Sequence, residues 1–241
     1  FDENEKIIFY GQSPNIWRFD ELNKQYYHIQ NIYSNESFYF LTVNNSPSKQ
    51  IQIQGLNNFD IQSIDEKNKQ YINSFIDYNF HEKETYNLVG TGQQWFGEYF
   101  GNVNQYSFNL IKGEVLDSLF LKARVAGRSS ISSQFDFSFN DQPPFFSLNI
   151  DPEISNDYYF EDSEGSTLLS SNLFSYIQNL NGELVVNFKN NGNPSALAWL
   201  DYIEINYKRK IDWFEDENQF NFRNSQSNNK FGVFDMPDDT E

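Results

Sequence analysis

Between two β-rich regions of the sequence lies the stretch Phe80-His-Glu-Lys-Glu-Thr-Tyr-Asn-Leu-Val-Gly-Thr-Gly-Gln-Gln-Trp-Phe-Gly-Glu-Tyr-Phe100. Its glycines stand among large rings, which lets the backbone turn sharply or approach another chain segment closely while the rings are buried. A phosphate-binding glycine loop is the alternative, but it needs Lys-Ser or Lys-Thr at a helix start, or a strand-to-helix turn with an acidic residue downstream. Neither pattern is present. We therefore predict that residues 80–103 form a joint between two β regions.

The composition favours a mainly β protein. The 241 residues include 25 Phe, 15 Tyr and 4 Trp but one Met and no Cys. Aromatic side chains fit the half-buried surfaces of sheets, so the fold class predicted is mainly β. Without cysteine the chain has no disulfide, no thiolate nucleophile and no Cys-ligated zinc. Its length suffices for one large or two ordinary domains.

The charge balance restricts the partners. With 34 acidic and 17 basic side chains the formal charge is -17, which argues against binding nucleic acid or anionic lipid. Cationic partners and calcium stay open. The sequence contains no run of about eighteen apolar residues, so we predict no membrane-spanning helix.

Residues 1–79 read as a small N-terminal β module. Apolar or alternating runs predict strands at Ile7–Tyr10, Phe38–Val43 and Ile51–Gln54, separated by turn residues. The period of Tyr71–Tyr78 is ambiguous, and we favour a strand. The two histidines, His28 and His81, are too few for a multi-histidine metal site, and His28 is expected to be structural.

Residues 104–211 predict an antiparallel β-sandwich of the jelly-roll type. Apolar residues alternate with polar ones over several short segments separated by turns. The alternating sets are Tyr106, Phe108 and Leu110; Leu119, Leu121, Ala123 and Val125; Phe135, Phe137 and Phe139; Phe146, Leu148 and Ile150; and Leu184, Val186 and Phe188. Trp199 to Tyr207 supplies a long closing strand. Residues 212–241 lose this periodicity and are expected to be a connector toward a further C-terminal part.

Two acidic stretches, Asp151–Asp157 and Glu161–Gly165, could offer carboxylate oxygens to calcium. Their spacing departs from the twelve-residue calcium loop, since Gly165 comes too late after Glu161 and no Glu follows at the required distance. Solvated acidic loops are the better interpretation. No pair of carboxyls has a recognisable shared pocket, so we predict no catalytic, cofactor-binding or metal-binding residues in this chain.

The sequence resembles the N-terminal region of the PorU-type cell-surface sortases of the Bacteroidetes type IX secretion system. The resemblance covers residues from about 6 to about 222 and keeps the order of the family's motifs. It is carried by Phe80–Glu84, Gly92–Glu98, Ile7–Trp17, His28, Tyr33-Ser34, Phe38–Thr42 and Ala198–Ile205. In that family a gingipain-type cysteine peptidase domain follows and its His/Cys pair performs cleavage and transfer.

The resemblance implies a non-catalytic role for this chain. The parent enzyme would remove a C-terminal sorting signal from secreted cargo and join the cargo to a surface glycolipid. The chain would then position the peptidase domain or the cargo, with that domain, secretion-system components or cargo as partners. It would be exported and held at the outer-membrane cell surface.

A surface carbohydrate-binding module is the alternative function. Trp199–Ile205 also looks like the closing strand of galactose-binding-like jelly rolls. Sugar recognition needs a solvent-facing aromatic ring, but Trp199 is in strand phase with Ile203 and Ile205 and is expected in the core. We also expect Trp95 to be buried as a packing anchor in the joint. No exposed ring is therefore predicted, and saccharide binding tighter than about millimolar is not expected.

Overall fold

The computed structural model describes residues 9–31, 33–34, 36–42, 69–90, 92, 94–139, 142–153, 160–170, 183–211, 223 and 231–233. These residues contain strands and irregular segments and no helix, which confirms the mainly β fold class. The strands are β1 Ile16–Asp20, β2 Gln25–Ile29, β3 Lys69–Tyr71, β4 Ser74–Glu82, β5 Gln105–Asn109, β6 Val115–Arg128, β7 Ser133–Phe139, β8 Phe146–Ile150, β9 Glu161–Ser170, β10 Glu183–Lys189, β11 Leu197–Lys210 and β12 Phe231–Val233.

Two four-stranded antiparallel sheets form a sandwich. One has the order β5-β10-β7-β8 and the other β4-β11-β6-β9. Counted along the chain from β4, these orders are second-seventh-fourth-fifth and first-eighth-third-sixth. That is the strand order of a jelly roll, in which most consecutive strands lie in opposite sheets. The predicted sandwich is therefore confirmed.

The core lies between the two sheets and is built by the alternation seen in the sequence. Leu119, Leu121, Ala123 and Val125 of β6 are fully buried, and they face the phenylalanines of β7 across the sandwich. Phe100 packs edge-on against Phe135 with ring centroids 5.0 Å apart. Because strand side chains alternate between faces, each strand of this kind contributes one apolar row to the core.

Strand β4 belongs to the sandwich. The sequence analysis placed residues 74–79 in the N-terminal module and 80–82 in the joint, whereas in the structure they pair with β11 along the register from Ser74↔Lys210 to Glu82↔Tyr202. The predicted strand near residues 71–78 is present over residues 74–78. The division into separate domains stays a prediction.

Strands β1 and β2 form an antiparallel hairpin, the N-terminal hairpin, on the side of the β4-β11-β6-β9 sheet that faces away from the core. We call this side the outer face. Trp17 stacks on Tyr78 of β4 with ring centroids 3.8 Å apart. The Asn206 side chain accepts a hydrogen bond from the Tyr26 backbone N–H at 2.6 Å and donates one to the Tyr26 carbonyl at 2.8 Å. Aromatic stacking and backbone bonding together hold the hairpin on β11.

Some predictions for the N-terminal and C-terminal parts of the chain are wrong, and others fall outside the described residues. Residues 38–42 are irregular, so the strand predicted at Phe38–Val43 is wrong over the part that is described. Ile51–Gln54, most of the connector and residues 154–157 lie outside the described residues. Within the connector, β12 pairs in parallel with β3, and Arg223 Nε lies 3.2 Å from the Asp77 carboxylate.

Candidate functional site

The joint segment is fastened to the sandwich through its backbone. The Phe96 N–H donates to the Tyr86 carbonyl at 2.8 Å, and the Gly97 N–H donates to the Leu200 carbonyl at 2.7 Å. The Phe96 ring is fully buried in a small cluster with Ala126 and Trp199 on the outer face. These bonds fix the path of the chain where it crosses the end of the sheet.

The prediction that Trp95 is a buried anchor is wrong. The Trp95 side chain is 41% exposed, while Phe96 beside it is 0% exposed. Neighbouring residues of an extended segment point to opposite sides, and here Phe96 takes the buried side. Trp95 is left with its ring open to solvent.

The glycines of the joint do what the sequence predicted. Gly90 has φ of +70°, a left-handed conformation that side chains with Cβ seldom adopt. A Cβ on Gly97 would lie 2.8 Å from the Lys83 carbonyl oxygen, so glycine permits the close approach of two backbone segments. The joint can therefore bend tightly and still pack against the sheet.

A β-bulge in β11 determines which side chains lie on the outer face below the joint. Leu200 pairs with Val125 and Tyr202 with Arg124, so Asp201 is an extra residue without a partner in β6. Leu200 and Ile203 both lie in the core. In a regular strand two residues three apart point to opposite faces, so the bulge must turn both Asp201 and Tyr202 to the outer face. Bulges commonly re-aim side chains in this way.

The bulge also explains the position of Trp199. The prediction that Trp199 is buried is confirmed, since it is 7% exposed. It packs with Phe96 on the outer face, however, and Ile203 and Ile205 belong to the core between the sheets. The expectation that Trp199 shares a face with Ile203 and Ile205 is wrong, because the extra residue at position 201 reverses the alternation of faces.

A cleft of about 340 Å³ opens between the joint, the N-terminal hairpin and the outer face. We call it the outer-face cleft. Its walls come from five parts of the chain: β4, the end of β2, the joint, β6 and the bulged part of β11. The lining residues are Gln30, Glu82, Glu84, Gln94, Trp95, Arg124, Asp201 and Tyr202.

Two carboxyls of the cleft have strongly raised pKa values. Burial raises the pKa of Asp201 to about 7, although the nearby Arg124 guanidinium opposes this shift. Burial and the neighbouring Glu84 carboxyl raise the pKa of Glu82 to about 8. Desolvation disfavours the charged form and a like charge adds to the effect. Near neutral pH these groups can therefore both donate and accept hydrogen bonds.

The positive charge of the cleft is the Arg124 guanidinium, which already has partners within the chain. Arg124 Nε donates to Asp162 Oδ2 at 3.0 Å, and Arg124 Nη1 lies 3.6 Å from Asp201 Oδ2, beyond hydrogen-bond distance. Gln94, with its amide oxygen turned toward Arg124, accepts from Nη1 at 3.1 Å. The cleft thus has a net acidic character despite its guanidinium.

We predicted no pocket shared by carboxyls, but the structure brings Glu82, Glu84 and Asp201 to one cleft. Asp201 is more than a hundred residues from the other two in the sequence, and the pairing of β4 with β11 brings it beside them. The prediction that the chain holds no catalytic, cofactor-binding or metal-binding residue stays a prediction. An exposed indole beside carboxyl, amide and guanidinium groups is suited to binding a polar ring-shaped ligand.

The two histidines do not meet. The His28 ring packs on Phe80 with centroids 3.9 Å apart, and burial lowers the pKa of His28. The His81 ring packs on Phe108 at 4.4 Å, and its Nε2 lies 3.1 Å from Glu98 Oε1. Because Phe80 and His81 are adjacent in a strand, they point to opposite faces of the sheet, so the two histidines share no site.

The acidic loop expected at Glu161–Gly165 is wrong, because these residues form the first half of β9. Cationic residues of β6 face them: Lys122 Nζ lies 2.9 Å from Glu164, and Arg124 bonds Asp162. Opposite charges on paired strands favour the strand over a solvated loop. Within the described residues no three His, Asp or Glu side chains gather as metal ligands. That part of the chain also holds no helix that could span a membrane.

Comparison with known proteins leaves the family open. No protein-family model matches the sequence, and no curated protein does. The crystal structure of dimeric latent PorU from Porphyromonas gingivalis aligns with 82% of this chain at 18% identity and a TM-score of 0.47. The chain spans 18% of the length of that structure. Two structures of the Tobacco streak virus coat protein align with 58% of this chain, at 9% and 10% identity and TM-scores of 0.25 and 0.26, and the alignments cover 92% and 91% of theirs.

Proposed function

We propose that this chain is the non-catalytic N-terminal region of a PorU-like cell-surface sortase. Its role is to position the cysteine peptidase domain or the cargo during type IX protein secretion. The observation that supports this best is that two sequence stretches carrying the family resemblance, Gly92–Glu98 and Ala198–Ile205, bond directly to each other although about a hundred residues separate them.

The contacts between these stretches are made by the backbone. Besides the bond from Gly97, the Leu200 N–H donates to the Glu98 carbonyl at 3.0 Å. Directly after the first stretch, Tyr99 and Trp199 pair as an isolated bridge, and the Phe100 N–H donates to the Ala198 carbonyl at 2.8 Å. Motif residues that build one junction are expected of a region whose task is to hold a shape, because close packing restricts which residues fit there.

The chemistry of cleavage belongs to the parent enzyme in this proposal. The chain has no cysteine and so cannot supply the thiolate nucleophile of a gingipain-type peptidase. Its partners are the C-terminal peptidase domain, secretion-system components and cargo, and its location is the outer-membrane cell surface. The charge of -17 suits contact with a cationic surface on such a partner.

The proposal is tested in the parent protein. The gene is read beyond residue 241, and residues 1–241 are then replaced by a flexible linker while the catalytic part is kept. We expect a gingipain-type His and Cys downstream, retained hydrolysis of a short reporter peptide, and loss of sorting-signal removal from folded cargo, measured by mass spectrometry. A continuation without that His and Cys, or equal cargo processing with and without the chain, would refute the positioning role.

A surface carbohydrate-binding module is the second candidate function. One observation favours it: the Trp95 ring is open to solvent at a cleft lined with polar side chains. The premise that the chain has no exposed aromatic ring at a binding site therefore no longer holds.

A further inference from the structure

We infer that the outer-face cleft binds a saccharide unit without acidic groups, and that the sugar ring lies against the indole of Trp95. This inference rests on the second candidate function and concerns the isolated chain. It is independent of whether a peptidase domain follows, so its failure and the failure of the sortase proposal are distinguishable.

The first argument is the exposure of the Trp95 ring beside two buried rings. Phe96 is 0% and Trp199 7% exposed, whereas Trp95, the neighbour of Phe96 in the chain, is 41% exposed and lines the cleft. An indole presents a broad apolar face with a polar edge, which suits the C–H face of a sugar ring. An exposed ring forgoes the free energy gained by burying its apolar surface, so a ligand that covers the ring gains that free energy on binding.

The second argument is the buried carboxyl on the floor of the cleft. Asp201 is 6% exposed, the bulge turns it to the outer face, and Arg124 stands at 3.6 Å. None of the described side chains donates a hydrogen bond to it. The carboxyl lines the cleft, so a sugar hydroxyl that reaches the floor would form a hydrogen bond with it.

The rim adds further hydrogen-bonding groups. Gln30 Nε2 donates to Glu84 Oε1 at 2.9 Å, which joins the end of the N-terminal hairpin to the joint above the cleft. Amide and carboxyl groups around an aromatic face provide both donors and acceptors at fixed positions. A sugar carries adjacent hydroxyls that also donate and accept, so the two patterns match.

Charge decides which saccharides fit. Glu82, Glu84 and Asp201 line the cleft, and Arg124 is held by Asp162. A uronic acid or a sulfated sugar would place a further anion in a cleft whose burial already disfavours charged carboxyls, whereas neutral and amino sugars would not. The volume of about 340 Å³ lies at the small end of ligand pockets, so the site suits a short saccharide unit.

The test uses the full chain and six methyl glycosides: those of glucose, galactose, mannose, N-acetylglucosamine, glucosamine and glucuronic acid. Binding is measured by calorimetry and by ligand-observed NMR. We expect at least one of the first five to bind with a dissociation constant of about 1 mM or lower. The glucuronide should bind at least about tenfold more weakly than the best of these.

Variants locate the ligand. Trp95→Ala should weaken binding by about tenfold or more, while Tyr33→Ala, which removes an 83% exposed ring outside the cleft, should leave it unchanged. Glu84→Ala changes an exposed rim residue and provides a second test if Trp95→Ala melts early. We expect it to weaken binding at least about threefold. No saturable binding of any glycoside up to about 10 mM, or equal binding by the cleft variants and the wild type, would overturn the inference.

Discussion

Replacing Phe96 by Ala should destabilise the protein strongly, because Phe96 anchors the joint to the outer face. Its ring is fully buried and lies 5.6 Å, centroid to centroid, from the edge-packed ring of Phe160. Backbone bonds to Tyr86 hold the segment in place, so the cavity left by the ring cannot collapse easily. Truncation of a buried Phe then costs about 3–5 kcal/mol, out of the roughly 5–15 kcal/mol typical of folded proteins.

The assay is thermal unfolding followed by tryptophan fluorescence. A chain of this size loses about 2–4 °C of Tm per kcal/mol, so Phe96→Ala should lower the Tm by roughly 6–20 °C. Trp95→Ala is the matched control, because it removes a larger ring that is 41% exposed, and it should cost less than half as much. Equal losses for the two variants, or an unchanged Tm for Phe96→Ala, would refute the assignment of the anchor.

Two further predictions concern the junction and the cleft. Gly97→Ala should lower the free energy of unfolding, measured by denaturant titration, by about 1–3 kcal/mol through overpacking. The reason is that its Cβ would lie 2.8 Å from the Lys83 carbonyl oxygen. Gly11→Ala is the control and should be nearly neutral, because its Cβ would make an ordinary contact at 3.7 Å. Asp201→Asn should flatten the pH dependence of stability. The pKa of Asp201 in the folded protein, about 7, is higher than its pKa in the unfolded chain. The wild type therefore loses at most about 4 kcal/mol of stability as the pH rises from about 4 to about 7. Melts between pH 4 and pH 8 should therefore show Asn gaining on Asp with rising pH, and parallel profiles would contradict the burial of a titrating carboxyl.

The sandwich could be predicted because most of its strands bury one apolar row. Alternation in segments such as Phe135–Phe139 and Leu184–Phe188 reflects a sheet with a core on one side, and both segments lie in strands of the structure. The turns of the joint were also predictable, since Gly90 has a left-handed conformation that side chains with a Cβ seldom adopt and Gly97 stands where a Cβ would clash.

Strands without an apolar row were missed. β9 begins with Glu161-Asp162-Ser163-Glu164 and is stabilised by ion pairs with β6, a pairing partner that a local sequence window does not contain. The N-terminal hairpin was missed for a related reason. Its strands are five residues long, and they are held by contacts with β4 and β11 that are distant in sequence.

The cleft could not be predicted, because it depends on one irregularity. The spacing of Trp199, Ile203 and Ile205 predicts that all three share a face, and nothing local reveals that Asp201 is an extra residue. The side on which Trp95 points likewise follows from the burial of Phe96 against residues about thirty and a hundred positions away. A useful signal was nevertheless present, because Asp201 is the one charged residue in the run Leu197–Ile203, and a desolvated carboxyl in a cleft is a candidate for a functional site.

The bulge makes β11 tolerant of a lost residue at one position. If Asp201 were deleted, Leu200 and Ile203 would stand two residues apart, and regular alternation would keep both in the core and Trp199 on the outer face. Deletion in a regular part of the strand has no extra residue to absorb it and exchanges the two faces of the remaining half-strand. In a scan of single-residue deletions along β11, position 201 should therefore be among the best tolerated for folding, even though its loss removes the carboxyl on the floor of the outer-face cleft.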